Sequence, residues 1–216
     1  MKVTIFLFLL LATVCAEAQT DGYKNVYTES EWAERDKWQK AGEIIGKLKI
    51  DSSSVVADIG CHEGYMSFKL AKVAKTVYAV DVDQWKLNAL KLHSEKRKTT
   101  NIATVKGDYD DPKLPANALD AVVILDTYHE MDDHDKILQH ILISLKKGGR
   151  LVICEPIAES RRKLARADQE KKHELGIKYA LEDLAKAGFT ILEKIDPLID
   201  REKVKGDKMW IVTAIK

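Results

Sequence analysis

The sequence predicts a single doubly wound α/β domain: a mostly parallel seven-stranded sheet with helices on both faces. Three observations predict it. Beyond residue 18, short β-branched runs alternate with stretches of helical period, the mark of βαβ units. The central runs are apolar throughout rather than alternating, as parallel strands covered on both faces require. No repeat, low-complexity tract or long linker divides the chain.

Taken in order, an N-terminal helix is expected over roughly Ser30 to Leu48, within a helical segment at 19–50. Strands follow at Val55–Gly60, Thr76–Asp81, Ile102–Gly107, Leu119–Asp126, Arg150–Glu155, Phe189–Pro197 and Lys208–Ile215. Helices are expected at Tyr65–Ala74, Gln84–Lys96, Asp132–Lys147 and Tyr179–Ala187. The helix from Asp132 is the best defined. Asp132 or Asp133 caps it, Ile137, Leu138, Ile141, Leu142 and Leu145 form one apolar stripe, and Lys146-Lys147-Gly148 closes it.

Composition narrows the functional classes. With 35 Lys+Arg against 34 Asp+Glu, the formal net charge is +1. Such a balance argues against nucleic acid or an acidic membrane surface as partner. At the N-terminus, Lys2, the apolar run Val3–Val14 and Ala16-Glu17-Ala18 read as a secretory signal, residues 1–18, cleaved before Gln19. The alternative is an uncleaved anchor or the first helix of a cytoplasmic protein. The run is too short to span a bilayer comfortably, and Val14 ahead of Cys15 argues against lipidation. The mature domain, 19–216, would then be periplasmic or secreted, with no stable membrane span. Cys61 and Cys154 are expected as separate buried thiols on non-adjacent strands.

In open sheets of this class, ligands sit beyond the carboxyl ends of the strands. The first strand-to-helix turn reads Asp58-Ile-Gly60-Cys61-His62-Glu-Gly64, with glycines that admit close backbone approach and a helix start that offers free N–H groups. The next strand ends in Asp81, which can accept hydrogen bonds from vicinal ribose hydroxyls. Together the two turns describe a nucleoside-containing cofactor. The glycine spacing departs from the G-x-G-x-x-G of dinucleotide sites.

The Asp58–Gly64 segment resembles the first motif of class I S-adenosylmethionine (SAM)-dependent methyltransferases. The resemblance extends to Asp81, Gly107-Asp108-Tyr109, Leu119 through Asp126 to His129, Leu145–Gly149 with the strand after it, and the upstream Arg35–Gln39. It implies a Rossmann-like fold and S-adenosyl-L-methionine as cofactor. On that resemblance Gly60, Cys61 and Gly64 would wrap the methionine portion, with Asp58 acting through the loop amides or the amino group. Asp81 would hold the ribose, Asp108 with Tyr109 would approach the adenine edge, and Val82 is a further cofactor-binding candidate. Asp126 would face the amino end of the cofactor or the acceptor; its alternative role is a helix-entry cap.

His62 stands where the family usually has its middle glycine. An ordinary backbone angle with the ring outside the pocket is expected; the alternative is an altered cofactor site. His129 is the candidate general base, against a purely local packing role, and no metal site is expected. Arg161, Arg162, Lys163, Arg166 and His173 either greet an anionic group or form a solvated helix face. Two functions follow: methyl transfer to a small-molecule or lipid-like acceptor, or a non-catalytic nucleoside binder on the same scaffold.

Overall fold

The computed structural model describes residues 28–216; the expected signal and Cys15 lie outside the described residues. The elements run α1 (Glu29–Asp36), α2 (Ala41–Leu48), β1 (Val55–Ile59), α3 (Tyr65–Ala71), β2 (Thr76–Asp81), α4 (Gln84–Arg97), β3 (Ile102–Lys106) and β4 (Leu119–Leu125). They continue α5 (His134–Ser144), β5 (Leu145–Ile157), α6 (Arg166–Glu170), α7 (Ile177–Ala187), β6 (Thr190–Asp200), α8 (Glu202–Lys205) and β7 (Lys208–Ile215). The seven strands form one sheet in the order β3-β2-β1-β4-β5-β7-β6. β7 is antiparallel to both β5 and β6, and the other pairings are parallel.

The period of two along each strand sorts the core into two layers. Val56, Ala121, Val123, Val152 and Cys154 face Trp32, Ile44, Leu48, Phe68, Leu87 and Leu90 from α1 to α4. Their neighbours Ala57, Val122, Ile124, Leu151 and Ile153 face Ile137, Leu138 and Ile141 of α5 and Ala180 and Leu184 of α7. Burial on both faces is why the central strands read as unbroken apolar runs.

Besides shifts of a few residues at several element ends, three departures from expectation change how elements join. The N-terminal helix is two helices, broken at Lys40, whose φ of 51° starts α2 in the left-handed region. α5 is capped by Asp133, which accepts from the Lys136 N–H, but it stops at Ser144. Leu145 already pairs with Leu119, and the register shifts before Ala121 meets Arg150, with Gly148 at φ 79° in the intervening stretch. β6 runs on to Asp200 through a second irregularity between Ile195 and Ile199.

Candidate functional site

A cavity of about 780 Å³ opens at the carboxyl ends of β1, β2, β3 and β4, with residues of α1 on its far wall. This volume lies within the range of about 300–1,000 Å³ typical of small-molecule sites. Asp58, Gly60, Cys61, Asp81, Val82, Asp108, Tyr109 and Asp126 all line it. Gly64 does not: it opens α3 at φ 97°, and a side chain there would meet Leu90 and Phe68 of the core.

The β1–α3 turn is pinned from two sides. The N–H groups of Gly60 and Cys61 donate to the Val80 carbonyl, and that of His62 donates to Asp81 Oδ2 at 2.8 Å. The other Asp81 oxygen accepts from the Asp83 N–H at 2.9 Å. A carboxylate has about four acceptor positions, so Asp81, facing the cavity with two used, retains capacity for two ribose hydroxyls. Gly60 (φ 73°) is required by packing, since a Cβ there would lie 2.1 Å from Thr127 Cγ2.

Asp58 is 2% exposed and accepts the Ser67 hydroxyl at 2.6 Å. Burial pushes its carboxyl up to about 6 and the Asp81 charge acts in the same direction, against the Ser67 hydrogen bond and the Arg35 charge. Burial likewise raises the Cys61 thiol, with Asp58 and Asp81 adding to it, so Cys61 is a packed thiol rather than a thiolate nucleophile. Cys154 is a separate buried thiol.

His62 corrects the expectation of an ordinary backbone angle. Its φ is 50°, in the left-handed region that histidine tolerates better than most residues, and it lines the cavity. Burial and the charge of Lys86 hold its imidazole down to about 4, so it is neutral at physiological pH.

Beyond β3, Asp108 pairs with Lys113 at 3.0 Å, and Tyr109 is exposed along the cavity wall. After β4, Asp126 (φ 59°) donates its N–H to the Cys154 carbonyl. It does not cap α5, a role that falls to Asp133. Its carboxylate lies 3.6 Å from Arg201 Nη1, while the Arg201 guanidinium is held by Asp207.

His129 does not line the cavity. It is buried, with Nδ1 2.5 Å from Glu155 Oε2 and Nε2 3.2 Å from Glu130. Burial opposes its charge, but the Glu155 hydrogen bond and charge prevail and push it up to about 9. It is therefore a paired cation near pH 7, not a poised base.

Glu155, which the sequence did not single out, is fully buried and also accepts the N–H groups of Thr127 and Tyr128, shaping the turn after β4. Lys205 is another addition: it lines the cavity mouth, 5.3 Å from the Trp38 ring centroid. Arg35, from the Arg35–Gln39 segment, lies 4.2 Å from the Tyr65 ring centroid and also lines the cavity.

The arginines after β5 are absorbed by the fold. Arg161 pairs with Glu174, Arg162 with Asp196, and Arg166 with Asp183 and Glu170. None of the described residues at 157–178 lines the cavity.

Residues 57–153 match the family described as a methyltransferase domain. An uncharacterized methyltransferase of Geobacillus sp. (strain WCH70) is 22% identical over 209 residues, covering 93% of this chain and 92% of its own. Among solved structures, a SAM-dependent methyltransferase from Aquifex aeolicus superposes with a TM-score of 0.71 at 19% identity, over 88% of this chain and 98% of that one. The geranyl diphosphate C-methyltransferase of Streptomyces coelicolor A3(2) gives 0.69 at 12% identity, over 86% and 81%. The solved structures establish the fold as Rossmann-like; the domain match and the curated relative carry the activity. The protein is accordingly a SAM-dependent methyltransferase. Its cofactor is S-adenosyl-L-methionine.

Proposed function

We propose that the enzyme binds SAM along the β1 and β2 edge of the cavity and methylates a small-molecule or lipid-like acceptor entering between α1 and α8. The observation that carries this reading is one cavity that gathers Asp58, Asp81, Asp108, Asp126 and Glu130 on its walls. SAM supplies an electrophilic methyl group on a sulfonium, and a carboxylate-rich wall favours that cation electrostatically. Asp81 would take the ribose hydroxyls, Val82, Asp108 and Tyr109 the adenine end, and Gly60 and Cys61 the methionine chain, with Asp58 behind them. Asp126 would face the amino group.

Of the remaining lining, which also includes the acidic Glu31 and Glu34, the acceptor would meet Arg35, Trp38, Met131 and Lys205. These combine apolar surface with positive charge, which suits an apolar molecule bearing an anionic group. With an acceptor that is already nucleophilic, holding it in line with the methyl group supplies much of the rate, so no general base is required of the chain. Among the described residues no helix is long and apolar enough to cross a membrane, and the balanced charge offers no nucleic-acid footprint. Export through residues 1–18 is part of the proposal, and an N-terminus at Gln19 by mass spectrometry would support it.

The left-handed His62 in the cavity wall favours one rival, a binder that holds the nucleoside without chemistry. Incubation with methyl-labelled SAM and metabolite or lipid extracts separates the two. A labelled small product with stoichiometric S-adenosylhomocysteine is expected. Binding without turnover supports the rival, and label transferred to RNA or protein overturns the acceptor class.

A further inference from the structure

Three potential ligand atoms converge where the cavity wall meets the turn after β4. His129 and Glu130 are adjacent in sequence, and His173 arrives from the turn that follows α6. Glu130 Oε1 lies 3.2 Å from His129 Nε2 and 2.5 Å from His173 Nδ1. All three ligand atoms lie within 4.8 Å of one another. The two imidazole rings are 5.9 Å apart and inclined at 76°.

Around an ion with bonds of about 2.0–2.1 Å, tetrahedral vertices lie roughly 3.3 Å apart. The His129–Glu130 edge already has that length. Glu130 and His173 are exposed side chains, free to make the remaining adjustment of about 1 Å.

The third ligand is held rigidly. His129 is buried, and its Nδ1 is bound by the fully buried Glu155, whose other oxygen is fixed by two backbone N–H groups. A carboxylate on the far nitrogen of an imidazole is the arrangement that orients histidine toward a metal. Asp126 lies within 4.8 Å of the His129–Glu155 pair and adds negative charge on that side. The nearby cation, Arg201, is already neutralised by Asp207.

We propose that His129, Glu130 and His173 bind one divalent first-row transition-metal ion of the zinc type, which displaces the Nε2 proton of His129 to solvent while Nδ1–H stays on Glu155. Two imidazoles and a carboxylate suit that class rather than Mg2+ or Ca2+, and three protein ligands leave a coordination position open. Glu130 is part of the cavity wall, so the ion sits at the edge of the enclosed space. The proposal stands independently of the identity of the acceptor.

The test uses the full chain without a histidine tag, stripped with chelator and titrated with Zn2+ and, for its visible absorption, Co2+. One ion per chain and the ligand-field bands of four- or five-coordinate Co2+ are expected. His173→Ala and Glu130→Gln should each weaken binding at least about tenfold, and Glu155→Gln by a similar factor through loss of orientation. Unchanged thermal unfolding of metal-free His173→Ala confirms that the fold survives. Binding no tighter than millimolar overturns the proposal, as does equal affinity in wild type and in both ligand variants.

Discussion

Asp58→Asn is expected to make the protein more stable and less able to hold its cofactor. The folded Asp58 carboxyl titrates near 6, against an ordinary 3.8, because it is buried beneath the β1–α3 turn. Ser67 hydrogen-bonds to it, while the charges of Arg35 and Asp81 act on it with opposite signs. Since the folded value is the higher, the native state holds more protons between pH 4 and 6, and stability falls as pH rises through that window. The displacement of about two units corresponds to roughly 3 kcal/mol. Asparagine keeps an acceptor for Ser67 and carries no charge, so the variant should recover up to that amount at about pH 8 and almost none at about pH 4. At about 2–4 °C per kcal/mol for a chain of this size, that is a Tm gain of roughly 6–12 °C on the alkaline side. Thermal unfolding across the pH range measures it, and calorimetry with SAM should show weaker binding by the same variant. A Tm at pH 8 equal to or below that of wild type would refute the reasoning.

Three further substitutions probe other parts of the site. Asp81→Ala should weaken SAM binding at least tenfold by calorimetry, because a charge-assisted hydrogen-bond pair contributes on the order of 1.5–3 kcal/mol. Glu155→Ala strands two backbone donors and the buried His129 cation, a loss of roughly 3–5 kcal/mol, seen as a Tm drop of about 6–20 °C. Gly60→Ala places a methyl 2.1 Å from Thr127 Cγ2 at φ 73°. It should cost about 2–5 kcal/mol from the left-handed penalty and overpacking together, and it should depress SAM affinity by displacing the turn.

The order of strands and helices was legible because each central strand is buried on both faces and helices such as α5 and α7 each bury one apolar stripe. Asp81 was legible for a related reason: it ends an apolar strand, where a buried carboxylate needs a ligand or backbone donors. The boundaries that moved depend on contacts distant in sequence. Leu145 leaves the α5 stripe because Leu119 offers it a strand partner, and nothing local to Lys146-Lys147-Gly148 distinguishes a helix end from a bulge. Lys40 breaks the N-terminal helix without glycine or proline to mark it. At His62 the rule that side chains avoid positive φ gave way to a turn whose N–H must reach Asp81. The encounter of His173 with Glu130, and the pairing of Arg161, Arg162 and Arg166 with acids on other elements, are tertiary facts that no local period encodes.

The central claim is that the cavity at the carboxyl ends of β1 and β2 holds SAM through Asp81. A crystal structure with S-adenosylhomocysteine tests it most directly. The account predicts both ribose hydroxyls within hydrogen-bonding distance of the Asp81 carboxylate, the adenine beside Asp108 and Tyr109, and the amino acid end between Gly60 and Asp126. A nucleoside bound elsewhere, or one whose ribose makes no contact with Asp81, would contradict it.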